Sequence, residues 1–266
     1  MWLDDLKTLM SPIMTPLNNY VGVNLIKRET PIIVSISSCR ENFKYLPKTI
    51  YSLLNQDLKP DRVVLYLDRD FEDLLCLPYE ITQFIKNGLE IKFVDHIGSY
   101  TKTIYALKDF PNAIVVTAED GICYSKTWLN NLYLSYIAQP QCINVNQALK
   151  IKIMNEKFFL SSNFESTSAS FNNLMLDTFG VLYPPKCFTQ EVFRKDIFLQ
   201  QINENAWFWA MALISNRKIR VVENFYSPSF MFNIFCKQKQ VSCQKIAESL
   251  DKLLVYYKSN LISKLK

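Results

Sequence analysis

Glycine is scarce: the chain has five in 266 residues. Neither GxGxxG nor GxxxxGK[ST] occurs, which removes the main signatures of a dinucleotide-binding Rossmann domain and of a P-loop. Histidine occurs once, as His96, so histidine metal clusters are excluded by count. A serine–histidine–acid triad would have to use that residue, and no GxSxG elbow accompanies it. The seven cysteines are odd in number and show no CxxC spacing, which speaks against a disulfide framework or a cysteine zinc site and for a reducing cytoplasm. The opening MWLDDLKTLM carries early acids and does not read as a secretory signal. No run of about 18 apolar residues appears, so no spanning helix is expected. The net charge of +5 is mild and its lysines and arginines are scattered rather than gathered into a stripe. A nucleic-acid partner is therefore not expected, whereas an anionic small ligand or an anionic membrane surface is compatible.

What is present is core material. Hydrophobic residues make up 49% of the chain, aromatics 14% and charged residues 21%. That suits one large domain with a substantial core, and the rings can also line a cleft. After an amphipathic N-terminal extension over residues 1–30, short β-branched runs alternate with helical segments. Strands are predicted at Pro31–Ser38, Arg62–Leu67, Leu89–Val94 and Ala113–Thr117. Helices are predicted from Pro47, over Tyr79–Lys86, over Thr101–Leu107 and over Lys126–Ala138. Strict alternation implies a mainly parallel sheet flanked by helices, with ligands outside the carboxyl ends of the strands. Three polar groups fall at those ends: Ser37-Ser38-Cys39-Arg40, Asp68, and Glu119-Asp120. The second half predicts paired strands over Ile143–Met154, a mobile loop over 160–178, a strand at Val181–Pro185, a helix over Asn203–Ile214 and a strand at Lys218–Val222. A basic amphipathic helix runs from about Val241 to the end. It suits packing on the core or contact with an anionic membrane.

Acids directly after a buried strand are the strongest chemical sign. Departure of a nucleotide diphosphate needs charge neutralisation, which a carboxylate-held divalent metal supplies. Glu119 and Asp120 can equally begin a surface loop and cap the next helix. Ser37, Ser38 and Arg40 suit a nucleotide base or ribose, or simple turn chemistry. Asp68 suits the same role by its strand-end position, or a turn.

Four stretches, in order, resemble bacterial glycosyltransferases related to the family-two group: PIIVSISSCRENFKYLPKTIYSLLNQDLKPDRVVLYLD, IGSYTKTIYALKDFPNAIVVTAEDGICYSKTWLNNLY, FGVLYPPKCF and NENAWFWAMALISNRKI. The resemblance covers about residues 31–222 and implies a type-A (GT-A) Rossmann-like fold. It also implies a nucleotide-sugar donor and a Mg²⁺ or Mn²⁺ cofactor. Lys102 would contact the diphosphate. Where the family has three aspartates this chain has Glu119-Asp120-Gly121, so that either Asp120 or Glu119 takes over as metal ligand, Asp120 being the candidate, or the enzyme works with weak metal binding or none. Where the family has two aspartates before W-F-W-A-M this chain has Glu204-Asn205, which makes Glu204 the candidate base of an inverting transfer. Glu204 can also be a helix-start acid facing the macrodipole. Tyr183 and Trp207 would shape the acceptor side.

The resulting expectation is an α/β GT-A domain over 31–240, with a nucleotide-sugar half at 31–138, an acceptor half at 139–240, and a C-terminal helix at 241–266. Its expected work is sugar transfer to a glycan or lipid-linked acceptor in surface polysaccharide or lipopolysaccharide synthesis. Its expected place is the cytoplasm, either free or at the inner face of the membrane. The alternative is a nucleotide-binding scaffold of the same fold with catalysis weakened or lost, motivated by Gly121 and Asn205. A nucleotidyltransferase is disfavoured, because no Gly-rich loop occurs at residues 31–47.

Overall fold

The computed structural model describes residues 20–71, 74–155, 157–161, 168–222 and 242–265. Among the described residues eight strands form one sheet: β1 (Ile32–Ser37), β2 (Arg62–Asp68), β3 (Leu89–Val94), β4 (Ile114–Ala118), β5 (Ile143–Met154), β6 (Lys157–Ser161), β7 (Asn173–Tyr183) and β8 (Ile219–Val221). Their order is β3-β2-β1-β4-β7-β5-β6, with β8 beside β5. Strands β1 to β4 pair in parallel, as the alternating pattern predicts. Beyond β4 the sheet turns antiparallel, and only β8 runs parallel to its neighbour β5.

Side chains alternate across the sheet as period-2 strands require. Ile32, Val34 and Ile36 of β1 join Val63, Leu65 and Leu67 of β2 on one face. Helices α1 (Leu46–Leu54) and α3 (Trp128–Ala138) cover that face. Ile33, Val64, Tyr66 and Val115 face the other core, under α2 (Thr101–Asp109) and α4 (Glu204–Ile214). Helix α4 is buried from Glu204 to Leu213. A helix apolar all round needs cover on all sides, and α5 (Cys243–Leu265) supplies part of it through Ile246, Leu250, Leu253 and Leu261. Packing is thus what the structure shows for this helix. No helix among the described residues is long and apolar enough to cross a membrane.

Two expectations need correction. The predicted loop over 160–178 is strand at both ends, since β6 reaches Ser161 and β7 begins at Asn173; residues 168–172 lie in no named strand and residues 162–167 lie outside the described set. The Ser- and Asn-rich composition masked it, because Asn173 is buried and bonded across the sheet to Lys150 and Ile219. The paired strands expected within 143–154 are one long strand. Of the N-terminal extension, residues 20–30 pack on the domain through an Arg28–Asp61 ion pair at 2.7 Å and backbone bonds to Pro60 and Asn87. Residues 1–19 lie outside the described set.

One irregularity shapes the centre. Strand β5 passes from Val145 to Gln147 while β7 passes from Val181 to Leu176, so residues 177–180 bulge from the ladder. Gly180 permits this with φ +104°, and a Cβ there would stand 2.6 Å from Cζ2 of Trp128. The Trp128 indole meanwhile donates to the carbonyl of Phe179 at 2.8 Å. Positive φ and a clash with a buried ring both oppose a side chain here. We expect Gly180→Ala to cost about 2 kcal/mol or more in urea unfolding; parent-like stability would contradict the packing described.

Candidate functional site

Parallel pairing puts the carboxyl ends of β1, β2 and β4 on one edge. Chain order reverses between β1 and β4, because β2 and β3 lie to one side of β1 and β4 to the other. Such a switch point opens a crevice for ligands. The structure brings Ser38 and Asp120 together there. Asp120 Oδ2 accepts hydrogen bonds from Ser38 Oγ and from Asn42 Nδ2, each at 2.8 Å. Arg40 is exposed on the helical turn Arg40–Asn42 between these two donors, and Ser37 ends β1 half-buried. Asp68 ends β2, where its carboxylate accepts the Asp70 N–H at 3.2 Å and lies 3.8 Å from His96 Nδ1. Burial pushes the Asp120 carboxyl above its ordinary range and the Glu119 charge adds to this, while the Ser38 and Asn42 bonds work against it.

Lys102, which the resemblance sets at the diphosphate, is on α2 with its side chain 2% exposed and turned into the interior. Its ammonium stands 3.1 Å from Glu119 Oε2 and 2.8 Å from Asp177 Oδ2. Burial disfavours its charge, but Asp177 and Glu119 outweigh burial and the net effect holds its pKa above the usual lysine value. Ser35 Oγ donates to the Lys102 carbonyl at 2.6 Å, tying α2 to β1. Thr117 Oγ1 donates to Asp177 Oδ1 at 2.5 Å. Glu119 donates its backbone N–H to the Tyr124 hydroxyl at 2.7 Å.

Asp177 escaped the sequence reading. The available signal was a lone acid inside the apolar run Asn-Leu-Met-Leu-Asp-Thr-Phe, where a buried polar residue is the informative exception. Glu204 opens α4 and is nearly buried. Asn203 caps that helix by accepting the Asn205 N–H at 3.0 Å and donates to Glu204 Oε2 at 3.3 Å. Asn205 in turn accepts the backbone N–H of Asp177 at 3.0 Å.

Two acceptor-side assignments are corrected. Tyr183 is fully buried, packed on Phe188 and Phe208. Trp207 is fully buried between Phe198 and Tyr257, its indole donating to the Val192 carbonyl at 3.2 Å. Neither offers a face to a sugar, and residues that fill a core have no ring surface left for stacking.

The residues also test the implied metal. Among the described residues no three His, Cys, Asp or Glu side chains gather as ligands. Glu119 is engaged by Lys102, Asp120 uses Oδ2 for Ser38 and Asn42, and Gly121 has no side chain. Mg²⁺ is usually held by one or two carboxylates together with substrate phosphates and waters, so the remaining Asp120 oxygen would hold such an ion only alongside the phosphates of a bound nucleotide.

No family model and no curated protein matches the chain. Solved structures do. The crystal structure of S. aureus TarS 1–349 is similar with a TM-score of 0.51 at 16% identity, covering 89% of this chain and 76% of that one. The chain has a fold like that of TarS 1–349. TarS 1–349 in complex with UDP-GlcNAc gives the same TM-score, identity and coverage. At this identity the TarS likeness shows the fold and leaves the residues to speak for the chemistry.

Two outcomes follow from the electrostatics. A raised carboxyl pKa in the folded state means that Asp120 adds stability below its unfolded pKa and loses that contribution as pH rises through the folded pKa. Asp120→Asn should therefore raise Tm at pH 7, with the gain shrinking as pH falls through the folded pKa and vanishing only well below the unfolded aspartate value of about 3.9 in a thermal scan. Lys102→Met strands two buried carboxylates and should cost about 3–5 kcal/mol by chemical unfolding; a cost under about 1 kcal/mol would contradict the ion cluster.

Proposed function

We propose that this chain is a glycosyltransferase that moves a sugar from a nucleoside diphosphate donor to a hydroxyl-bearing glycan or lipid-linked acceptor. The observation that carries the reading is the clamp of Ser38 and Asn42 on Asp120 at the β1/β4 switch point of a TarS-like fold. The TarS structure holding UDP-GlcNAc makes a uridine donor the first to test. In this reading Ser37, Ser38 and Asp68 hold the nucleoside. Arg40, on the clamped turn, meets the diphosphate with its bidentate guanidinium. Glu204 takes the proton from the acceptor hydroxyl. That oxygen forms a bond to the anomeric carbon as the bond to the diphosphate breaks, and the diphosphate leaves with the electron pair from the opposite face. Configuration inverts.

The wider setting rests on the four ordered motifs: family-two kinship, surface polysaccharide or lipopolysaccharide synthesis, and work at the cytoplasmic face of a membrane. Val255 and Tyr256 of α5 are exposed beside Lys252 and Lys258, which suits peripheral contact with anionic lipid. Deleting residues from Val241 onward should then abolish liposome binding, and unchanged binding would remove membrane contact from the account.

A second reading is a nucleotide-binding scaffold without turnover. The internal engagement of Glu119 by Lys102 and the Asn205 side chain beside Glu204 favour it. A panel of nucleotide sugars separates the two. The transferase reading expects slow donor hydrolysis that falls about 10²–10⁴-fold in Glu204→Gln, with donor affinity changed by no more than about twofold. Tight nucleotide binding with no turnover on any donor would establish the scaffold.

A further inference from the structure

The β7 bulge presents an unusual expenditure. Residues 177–180 leave the ladder, Gly180 takes a positive φ, and Trp128 closes over it, all to bring one acid out of register. Bulges next to functional sites re-aim a side chain. Here the re-aimed side chain is Asp177, and its target is the Lys102 ammonium at 2.8 Å.

From that contact a continuous path runs across the molecule. On the donor side, Lys102 holds Glu119, whose chain neighbour Asp120 is clamped by Ser38 and Asn42. On the other side, the Asp177 backbone donates to the Asn205 side chain in the first turn of α4, beside Glu204. Thr117, between the two halves on β4, bonds the Asp177 carboxylate. Every member but the clamped Asp120 turn is nearly or fully buried. Burying ions is a poor route to stability, since apolar replacements of similar volume often do as well or better. A cluster of this kind is better matched to holding two segments in one arrangement.

We infer that Lys102 and Asp177 form a buried strut that positions Glu204 against the donor edge, making both of them positioning residues for transfer. The inference rests on the glycosyltransferase reading for its effect on turnover, but its structural half stands on contacts alone. Neither residue touches the substrates. The strut sets where the helix start carrying Glu204 lies relative to the turn carrying Asp120.

Two variants of the full chain test this: Asp177→Asn, and the neutral triple Lys102→Met with Glu119→Gln and Asp177→Asn. The probes are UDP for binding, UDP-GlcNAc hydrolysis for turnover, and hydrogen–deuterium exchange of amides 204–206. Asp177→Asn keeps size and can still accept from Thr117. It should leave UDP affinity within about twofold, lower kcat by about tenfold or more, and speed exchange at 204–206. The triple should regain a parent-like Tm while kcat stays low. If kcat recovers together with Tm, the charges serve folding alone and the strut is overturned. Parent-like exchange at 204–206 in Asp177→Asn overturns it as well. If the parent binds UDP but hydrolyses nothing, the transferase reading fails with this donor, and the exchange result alone decides the strut.

Discussion

An ammonium sealed inside a protein must be matched by carboxylates, and much of this structure is arranged around that constraint. Lys102 enters from α2, Glu119 from the end of β4 and Asp177 from the bulge of β7. These three elements belong to the parallel half, the strand that joins the halves, and the antiparallel half. Two carboxylates on one lysine leave a net negative charge in a low-dielectric interior, where unpaired charge is costly. One neighbour answers with a donor, Thr117 to Asp177, while the Tyr124 hydroxyl accepts the Glu119 backbone N–H and fixes the end of β4. The bulge, the positive φ of Gly180 and the Trp128 packing follow from the need to deliver Asp177 to that point.

The same constraint shapes the donor edge. Because Glu119 is turned inward, Asp120 alone of the pair faces the crevice, and the chain uses it to hold the Ser38–Asn42 turn. Gly121 continues this pattern, with φ +77° where a ligand side chain would be expected from the resemblance. The edge is therefore an organised turn, held by the bonds of Asp120 to Ser38 and Asn42.

The parallel half was legible in the sequence because local pattern and tertiary role agree there. Ile32–Ser37 and Arg62–Asp68 are buried on both faces, so they read as near-continuous apolar runs. The strand-end residues Ser38 and Asp120 could be singled out because parallel topology alone sends strand ends to one edge. What could not be read depends on long-range contacts. Lys102 looks like any helix lysine until its partners 17 and 75 positions away are known. Asp177 looks like an interruption of a strand until the bulge is seen. Tyr183 and Trp207 look like ring surfaces for a sugar, but α5 and the Phe188–Phe208 cluster cover them. Asn173 and its neighbours mimic a loop because their polar groups are satisfied across the sheet rather than by water.

The central claim is that a nucleoside diphosphate occupies the crevice between the ends of β1 and β4. A crystal structure of the full chain soaked with UDP tests it most directly. The account predicts the nucleotide against Ser37, Ser38, Arg40 and Asp68, with Lys102 still enclosed by Glu119 and Asp177. A nucleotide bound elsewhere, or Lys102 released from its carboxylates to meet the diphosphate, would contradict it.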